Sequence, residues 1–157
     1  MLLSTDRIVQ YLNGQEVPFE QRRHPRDETA KQAARDSNAA PGQFAKAVAV
    51  NADGGQLLAV LPADHHIDLP KLQQHLGASQ VELLPEQDLA KFFPDCEVGA
   101  IPALGNIYGM TVYISPALTK QQMIVFHAGT HDEVIEMPYA SYEQLVKPIV
   151  ADFSSPS

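Results

Sequence analysis

A lysine inside an apolar run and a glycine-bounded loop are the residues of this sequence best suited to chemistry. Lys46 interrupts the otherwise apolar run 44–50, Phe-Ala-Lys-Ala-Val-Ala-Val. Burying a charged amine without a partner is costly, so we expect Lys46 to reach a carboxylate or a bound substrate. The loop 99–105, Gly-Ala-Ile-Pro-Ala-Leu-Gly, sets two glycines around a rigid proline. Such a loop can bring bare backbone amides close to a ligand.

Two histidines farther along the chain raise the alternative of a metal site. His127 and His131 are four residues apart and Asp132 follows, a spacing that brings side chains together on a helix. Gly129 and its β-branched neighbours instead favour a strand end, where the side chains need not converge. Because no third ligand is well defined, we predict no metal and no cofactor.

Two other signals favour structural explanations. Asp64-His65-His66 resembles a triplet of certain phosphoesterases, but their other acidic motifs are missing, so we expect a loop before a helix. Cys96 is the single cysteine and has no defined base nearby in the sequence. We expect it to be a small buried residue and not a nucleophile.

The composition predicts a globular cytoplasmic protein. Its 157 residues suit one domain over 1–153 with a frayed tail at 154–157, and no apolar stretch approaches the roughly 20 residues of a membrane span. The net charge of −8 argues against general nucleic-acid binding. Residues 1–50 carry seven basic and six acidic side chains, so we expect a polyanion to meet this part. Arg22, Arg23 and Arg26 either contact it or form a solvated strand end and loop.

Hydrophobic spacing and turn residues define the elements that must position these groups. We expect helices at 6–14, 29–36, 68–77, 86–92 and 141–147, and strands at 17–23, 44–50, 57–61, 81–83, 110–114, 122–127 and 133–137. Asp53-Gly54-Gly55 between two apolar runs indicates a hairpin. The strands come in neighbouring groups, which favours a mixed, largely antiparallel α+β domain.

In this order, the elements resemble the YbaK/prolyl-tRNA-synthetase-associated domain family of aminoacyl-tRNA deacylases and editing domains. The resemblance rests on His24-Pro25 after a basic strand, the alanine-rich helix 29–36, the strand of Ala45-Lys46, the segment 57–62 with the helix behind it, the loop 99–105 and the turn 126–129. It implies a barrel-like sheet with surrounding helices and hydrolysis of misacylated tRNA without a metal.

The resemblance also implies roles for individual residues. Two motif positions carry over, the strand lysine as Lys46 and the loop glycine as Gly99, and we expect the amides of Gly99, Ala100 and Ile101 to bind an oxyanion. The residues expected to bind substrate are His24, Pro102, Ala103, His127, Gly129 and His131. The family loop usually carries a proline where this chain has Ala103, although Pro102 is retained.

Two hypotheses follow for function. An aminoacyl ester is already reactive, so a site that places its carbonyl, stabilises the oxyanion and admits water suffices. The first hypothesis is a trans-editing deacylase that contacts the 3′ end of misacylated tRNA and removes a small amino acid, with no DNA or membrane partner. The second, motivated by Ala103 and the acidic residues 51–157, is a domain of the same fold that binds a partner without turnover.

Overall fold

A computed structural model describes residues 4–25, 29–37 and 39–157. The helices are α1 (Ser4–Gly14), α2 (Ala30–Asp36), α3 (Leu69–Leu76), α4 (Glu86–Phe92), α5 (Pro116–Thr119) and α6 (Tyr139–Val146), with a 3-10 helix at Gly105–Tyr108. The strands are β1 (Glu20–Arg23), β2 (Ala45–Ala52), β3 (Gly55–Pro62), β4 (His65–Ile67), β5 (Val81–Leu83), β6 (Thr111–Ile114), β7 (Met123–His127), β8 (Glu133–Pro138), β9 (Ile149–Val150) and β10 (Ser154–Pro156). Within these ranges, no helix combines the length and apolarity needed to cross a membrane.

The strands of the described residues form three sheets. The largest has the order β5-β2-β3-β6-β9, in which β3, β6 and β9 run parallel and the remaining pairs are antiparallel. The second is the antiparallel sheet β1-β8-β7, and the third pairs β10 with β4. An isolated bridge between Phe44 and Val125 connects the first two sheets. The mixed α+β prediction is therefore confirmed, but the described strands do not close into a ring.

Local sequence signals place several elements where they were expected. The turn between β2 and β3 holds Asp53 at φ +49° and Gly54 at φ +88°, the left-handed pair typical of a tight hairpin. Asp68 caps α3 by accepting the amide of Lys71 at 3.1 Å, and Gly77 ends the helix at φ +64°. Helix α1 already includes Ser4, so it begins before the predicted start at residue 6, and Asp6 lies in its first turn.

The C-terminal residues differ from the prediction. Instead of fraying, Ser154–Pro156 pair with β4, and residues 65–67 form that strand where a loop was expected. The two strands are also joined through side chains, because Nδ1 of His65 lies 2.9 Å from Oγ of Ser154. Strand β4 is short and polar and has no hydrophobic alternation, so its pairing depends on a partner distant in sequence. The single domain over 1–153 stays a prediction.

The two faces of β2 serve different parts of the molecule. Ala45 and Ala49 belong to the main core, whereas Phe44, just before the strand, packs in a smaller cluster with Val125. Alternation along a strand puts Lys46 on the same face as Phe44. The lysine therefore shares its face of the sheet with the end of β7.

We expect Tyr142→Phe to lower the free energy of unfolding by about 1–3 kcal/mol, because a buried carbonyl would lose its partner. The hydroxyl of Tyr142 donates to the carbonyl oxygen of Ala103 at 2.5 Å, and both residues are fully buried. Urea unfolding measures the change. The matched control is Tyr113→Phe, since the Tyr113 hydroxyl has no hydrogen-bond partner in the described part of the chain. Equal losses in both variants would contradict the prediction.

Candidate functional site

Lys46 is held by a backbone carbonyl. Its Nζ donates to the carbonyl oxygen of His65 at 2.6 Å, and the side chain is half-buried. From the sequence, a carboxylate or a substrate was expected as its partner, and this backbone carbonyl was not. A hydrogen bond to a carbonyl oxygen restrains the position of the ammonium group. Strand β4, which supplies that carbonyl, therefore helps to place the lysine.

The expected glycine loop begins with a tight turn over residues 97–100. The amide of Ala100 donates to the carbonyl oxygen of Glu97 at 3.1 Å, and Gly99 has φ +83°. A hydrogen bond of this span with a positive φ at the third residue is typical of a type II turn. A Cβ atom at Gly99 would also lie 3.3 Å from Cε1 of His131. Glycine is required here by backbone conformation and by this close neighbour.

The three amides expected to bind an oxyanion differ in their availability. The Ala100 amide is used by the turn itself. The amides of Gly99 and Ile101, in contrast, donate to no acceptor within the described ranges. Of these two residues, Gly99 is exposed and Ile101 is buried. The donors left for a ligand are therefore those of Gly99 and Ile101.

Three predicted histidines lie together beside this turn. The buried ring of His127 packs edge-on against Phe44, with centroids 5.0 Å apart, and against His131 at 5.7 Å. Burial, and next the positive charges that His131 and His24 carry when protonated, lower the pKa of His127 from 6.5 to about 4. At neutral pH the imidazole ring of His127 is therefore uncharged. Because Phe44 and Lys46 share a face, the histidines and the lysine belong to one region.

His131 connects the two loops that frame the site. Its Nε2 lies 2.6 Å from the carbonyl oxygen of Val98, so this nitrogen carries the proton and donates. Its backbone amide donates to Oε1 of Glu97 at 2.8 Å, and the amide of Glu97 in turn donates to the carbonyl of Gly129 at 2.8 Å. The Nδ1 atom of His131 is buried without a hydrogen-bond partner in the described part. Within that part, no group of three or more His, Cys, Asp or Glu is arranged to hold a metal.

Gly129 supports the site from behind. Its φ is +94°, and an added Cβ would lie 1.7 Å from Oγ of Ser4 in α1. The neighbouring carbonyl of Ala128 accepts hydrogen bonds from the hydroxyls of Ser4 and Thr5, at 3.2 and 2.9 Å. The position that a side chain would occupy at Gly129 is thus filled by helix α1. Gly129 was expected to bind substrate, but on this side it contacts the helix.

The later part of the loop faces the core. The side chains of Ile101 and Ala103 belong to the main hydrophobic cluster, and Pro102 is buried. The methyl group of Ala103 is fully buried, so it does not share the surface of Gly99 and the histidines. For Ile101, the feature relevant to a site is its amide and not its side chain.

Cys96 is part of a polar cluster that anchors α1. Its Sγ lies 3.1 Å from the hydroxyl of Tyr108, which donates to Asp95 at 3.1 Å. Arg7 pairs with Asp95 at 3.4 Å, and its guanidinium stacks 4.8 Å from the centre of the Tyr108 ring. Burial raises the pKa of the Cys96 thiol to about 12. This thiol is protonated at neutral pH, and its side chain is partly buried where a fully buried residue was expected.

The basic strand β1 is largely neutralised by its neighbour β8. Arg22 pairs with Glu136 at 3.0 Å, and Arg23 pairs with Glu133 at 2.9 Å. These contacts explain the charges of Arg22 and Arg23 as cross-strand pairs of the sheet, whereas Arg26 lies outside the described residues. Because the two arginines are paired with glutamates, strand β1 should attract a polyanion less strongly than the sequence suggested.

Glu97 is the residue of the site that the sequence analysis missed. It contributes a backbone donor, a backbone acceptor and a side-chain acceptor to the framing loops. An acidic residue two positions before a glycine is common in loops, and its spacing carries no specific signal. Only its distant partners, Gly129 and His131, show its importance.

Comparisons with known proteins agree with this architecture. A family model described as the aminoacyl-tRNA editing domain matches residues 24–145. A solved structure described as a "putative trans-editing enzyme for prolyl tRNA synthetase" is 19% identical, with a TM-score of 0.86 and 99% of each chain covered. A structure from work on epitope backbone grafting by computational design on scaffold proteins is 21% identical, with a TM-score of 0.86 and 100% of each chain covered. At these identities the two structures show a shared fold alone. None of the curated proteins matches the chain significantly.

We expect Gly129→Ala to lower the free energy of unfolding by about 3 kcal/mol, since it adds a backbone penalty to a clash with α1. The control is Gly54→Ala, because Gly54 has a similar φ of +88° and no heavy atom within 4 Å of an added Cβ. That change tests the backbone penalty alone, about 1 kcal/mol. Urea unfolding of both variants separates the two contributions, and equal losses would show that α1 does not constrain Gly129.

We expect His127 to make the protein less stable as the pH falls from 7 to 5. Its pKa is about 4 when folded and near 6.5 when unfolded, so between these values the unfolded state binds more protons. Across this range the loss is about 2 kcal/mol. Unfolding free energies measured against pH should show a shallower slope for His127→Leu and an unchanged slope for the exposed His75→Leu. An unchanged slope in His127→Leu would contradict the assignment.

Proposed function

Because the chain belongs to the aminoacyl-tRNA editing domain family, we propose that it hydrolyses the ester bond of misacylated tRNA carrying a small amino acid. The observation that carries this proposal is the pair of amides at Gly99 and Ile101 without acceptors, on a turn held beside three histidines. We further propose that it is a trans-editing deacylase that acts in the cytoplasm.

The chemistry assigned to the site is oxyanion stabilisation. Attack of water on an ester carbonyl moves negative charge to the carbonyl oxygen. Pre-oriented amides of Gly99 and Ile101 would bind that charge, and each such donor is typically worth about 10²–10³ in rate. Because the ester is already activated, neither a side-chain nucleophile nor a metal is required. The protonated thiol of Cys96 is consistent with this scheme.

Lys46 is assigned a charge-based role. Its Nζ donates to the His65 carbonyl, which fixes its position. A fixed positive charge on this face of the sheet suits an anionic group of the terminal nucleotide or the developing oxyanion. We assign Lys46 to orienting the substrate carbonyl and its nucleotide.

The preference for a small amino acid is supported by the crowding of rings on the same face. His127 makes T-shaped contacts with Phe44 and His131, with ring centroids 5.0 and 5.7 Å apart. We propose that these packed rings limit the size of the amino acid that the site accepts. Pockets of this type discriminate by about 1–3 kcal/mol for each methylene group.

Limited contact with the 3′ end of the tRNA is supported by the charge distribution. The net charge is −8, and Arg22 and Arg23 are paired with glutamates of β8. A broad contact with tRNA phosphates needs many uncompensated basic residues. Recognition of the aminoacylated terminus needs fewer.

The hypothesis of a non-catalytic domain was motivated partly by Ala103. Its methyl group lies in the core, and its carbonyl is bound by Tyr142. The substitution therefore does not alter the surface of Gly99 and the histidines directly. The geometry favours the catalytic proposal.

We expect the protein to deacylate at least one member of a panel of alanyl-, cysteinyl- and seryl-tRNAs that are mischarged. Lys46→Ala should reduce the rate roughly 10- to 100-fold, as expected when a charged hydrogen-bond donor is lost. The control is Lys120→Ala, which removes an exposed lysine outside the site. A chelator should leave the wild-type rate unchanged. Equal rates for Lys46→Ala and the wild type, or no hydrolysis of any panel member, would contradict the proposed function.

A further inference from the structure

The peptide unit between Val98 and Gly99 carries both a held carbonyl and an available amide. The Val98 carbonyl oxygen accepts from Nε2 of His131 at 2.6 Å. The Gly99 amide, on the same rigid plane, donates to no acceptor in the described residues. In a trans peptide the C=O and N–H bonds point in opposite directions. A hydrogen bond that fixes the carbonyl therefore also fixes the direction of the amide.

The orientation of this peptide unit distinguishes a type I turn from a type II turn. Type I and type II turns share the same end-to-end hydrogen bond and differ by a flip of the central peptide. The φ of +83° at Gly99 corresponds to type II. Because glycine adopts both conformations readily, its own backbone preference selects between them only weakly. An outside contact must supply the selection.

We propose that His131 and Glu97 are positioning residues that lock the 98–99 peptide in its type II orientation and so aim the Gly99 amide at the substrate carbonyl. This inference rests on the proposed function for the identity of the substrate but not for the lock itself. His131 holds the central carbonyl directly. Glu97 holds His131 by accepting its backbone amide at 2.8 Å.

The lock is anchored on both sides. The backbone of Glu97 donates to Gly129 at 2.8 Å and accepts from Ala100 at 3.1 Å. The Cε1 atom of His131 would lie 3.3 Å from a Cβ at Gly99, so the ring packs directly beside the turn. The imidazole is therefore fixed by its backbone, by its hydrogen bond and by contact. A flip of the peptide requires loss of the 2.6 Å bond to Val98.

The orientation of this peptide is measurable without substrate. In a type II turn the Hα of the second residue lies close to the amide proton of the third, and in a type I turn it lies farther away. The nuclear Overhauser effect from Val98 Hα to the Gly99 amide proton should be strong in the wild type. It should weaken in His131→Leu and be largely restored in His131→Gln, whose side-chain amide still donates. The exposed His75→Leu is the control and should match the wild type.

Single-turnover deacylation then tests the consequence of the lock. We expect His131→Leu to lower the maximal rate roughly 10-fold or more with little change in the half-saturating tRNA concentration, since an aimed oxyanion donor acts in the transition state. His131→Gln should recover most of the rate. Glu97→Leu should follow His131→Leu, and Glu97→Gln, which keeps an acceptor, should stay near the wild type.

The outcomes separate the lock from the proposed function. An unchanged Overhauser effect in His131→Leu overturns the lock, and an altered effect with an unchanged rate overturns its role in aiming the amide. If the wild type hydrolyses none of the panel, the proposed function fails while the Overhauser effect still tests the lock. Should His131→Leu not fold by thermal denaturation and circular dichroism, Glu97→Leu carries the same two measurements.

Discussion

The arrangement of the site depends on the close approach of Gly129 to the first residue of α1. Because Gly129 has no side chain, the hydroxyls of Ser4 and Thr5 can reach the carbonyl of Ala128. The Gly129 carbonyl can then accept the amide of Glu97. This contact sets the distance between the 128–132 turn and the 97–100 turn. The position of the Gly99 amide, on which the proposed chemistry depends, is therefore set by Gly129, although Gly129 itself contributes no functional group.

The proposed site would use backbone groups where many enzymes use side chains. The potential nucleophile, Cys96, is committed to Tyr108 and has a raised pKa, and His127 is kept neutral by burial. The groups assigned to the chemistry are backbone amides and one lysine, whose Nζ donates to the carbonyl of His65. Such a design suits an activated ester, because positioning and oxyanion binding supply most of the required rate.

Much of the fold was predictable from local signals. The hairpin at 53–54 and helix α3 were predicted because the residues that define them are neighbours in sequence. Strand β10 was missed because Ser154–Pro156 carry no strand pattern and pair only through distant β4. Lys46, Gly99 and the histidines stay predicted site residues, whereas the contact of Lys46 with the His65 carbonyl and the contacts of Glu97 were not predicted from the sequence.

The sequence by itself determined residue chemistry and local conformation: which position carries a charged amine, where glycine permits a positive φ, and the order of elements that indicated the family. Tertiary structure alone decided that two of the three loop amides, those of Gly99 and Ile101, lack an acceptor in the described residues. It also decided that Ala103 faces the core and that Gly129 faces α1. The physical reason is that these properties depend on acceptors and neighbours far along the chain. Hydrogen bonds such as those of His131 to Val98 and of Tyr142 to Ala103 join residues 33 and 39 positions apart, and no local pattern encodes them.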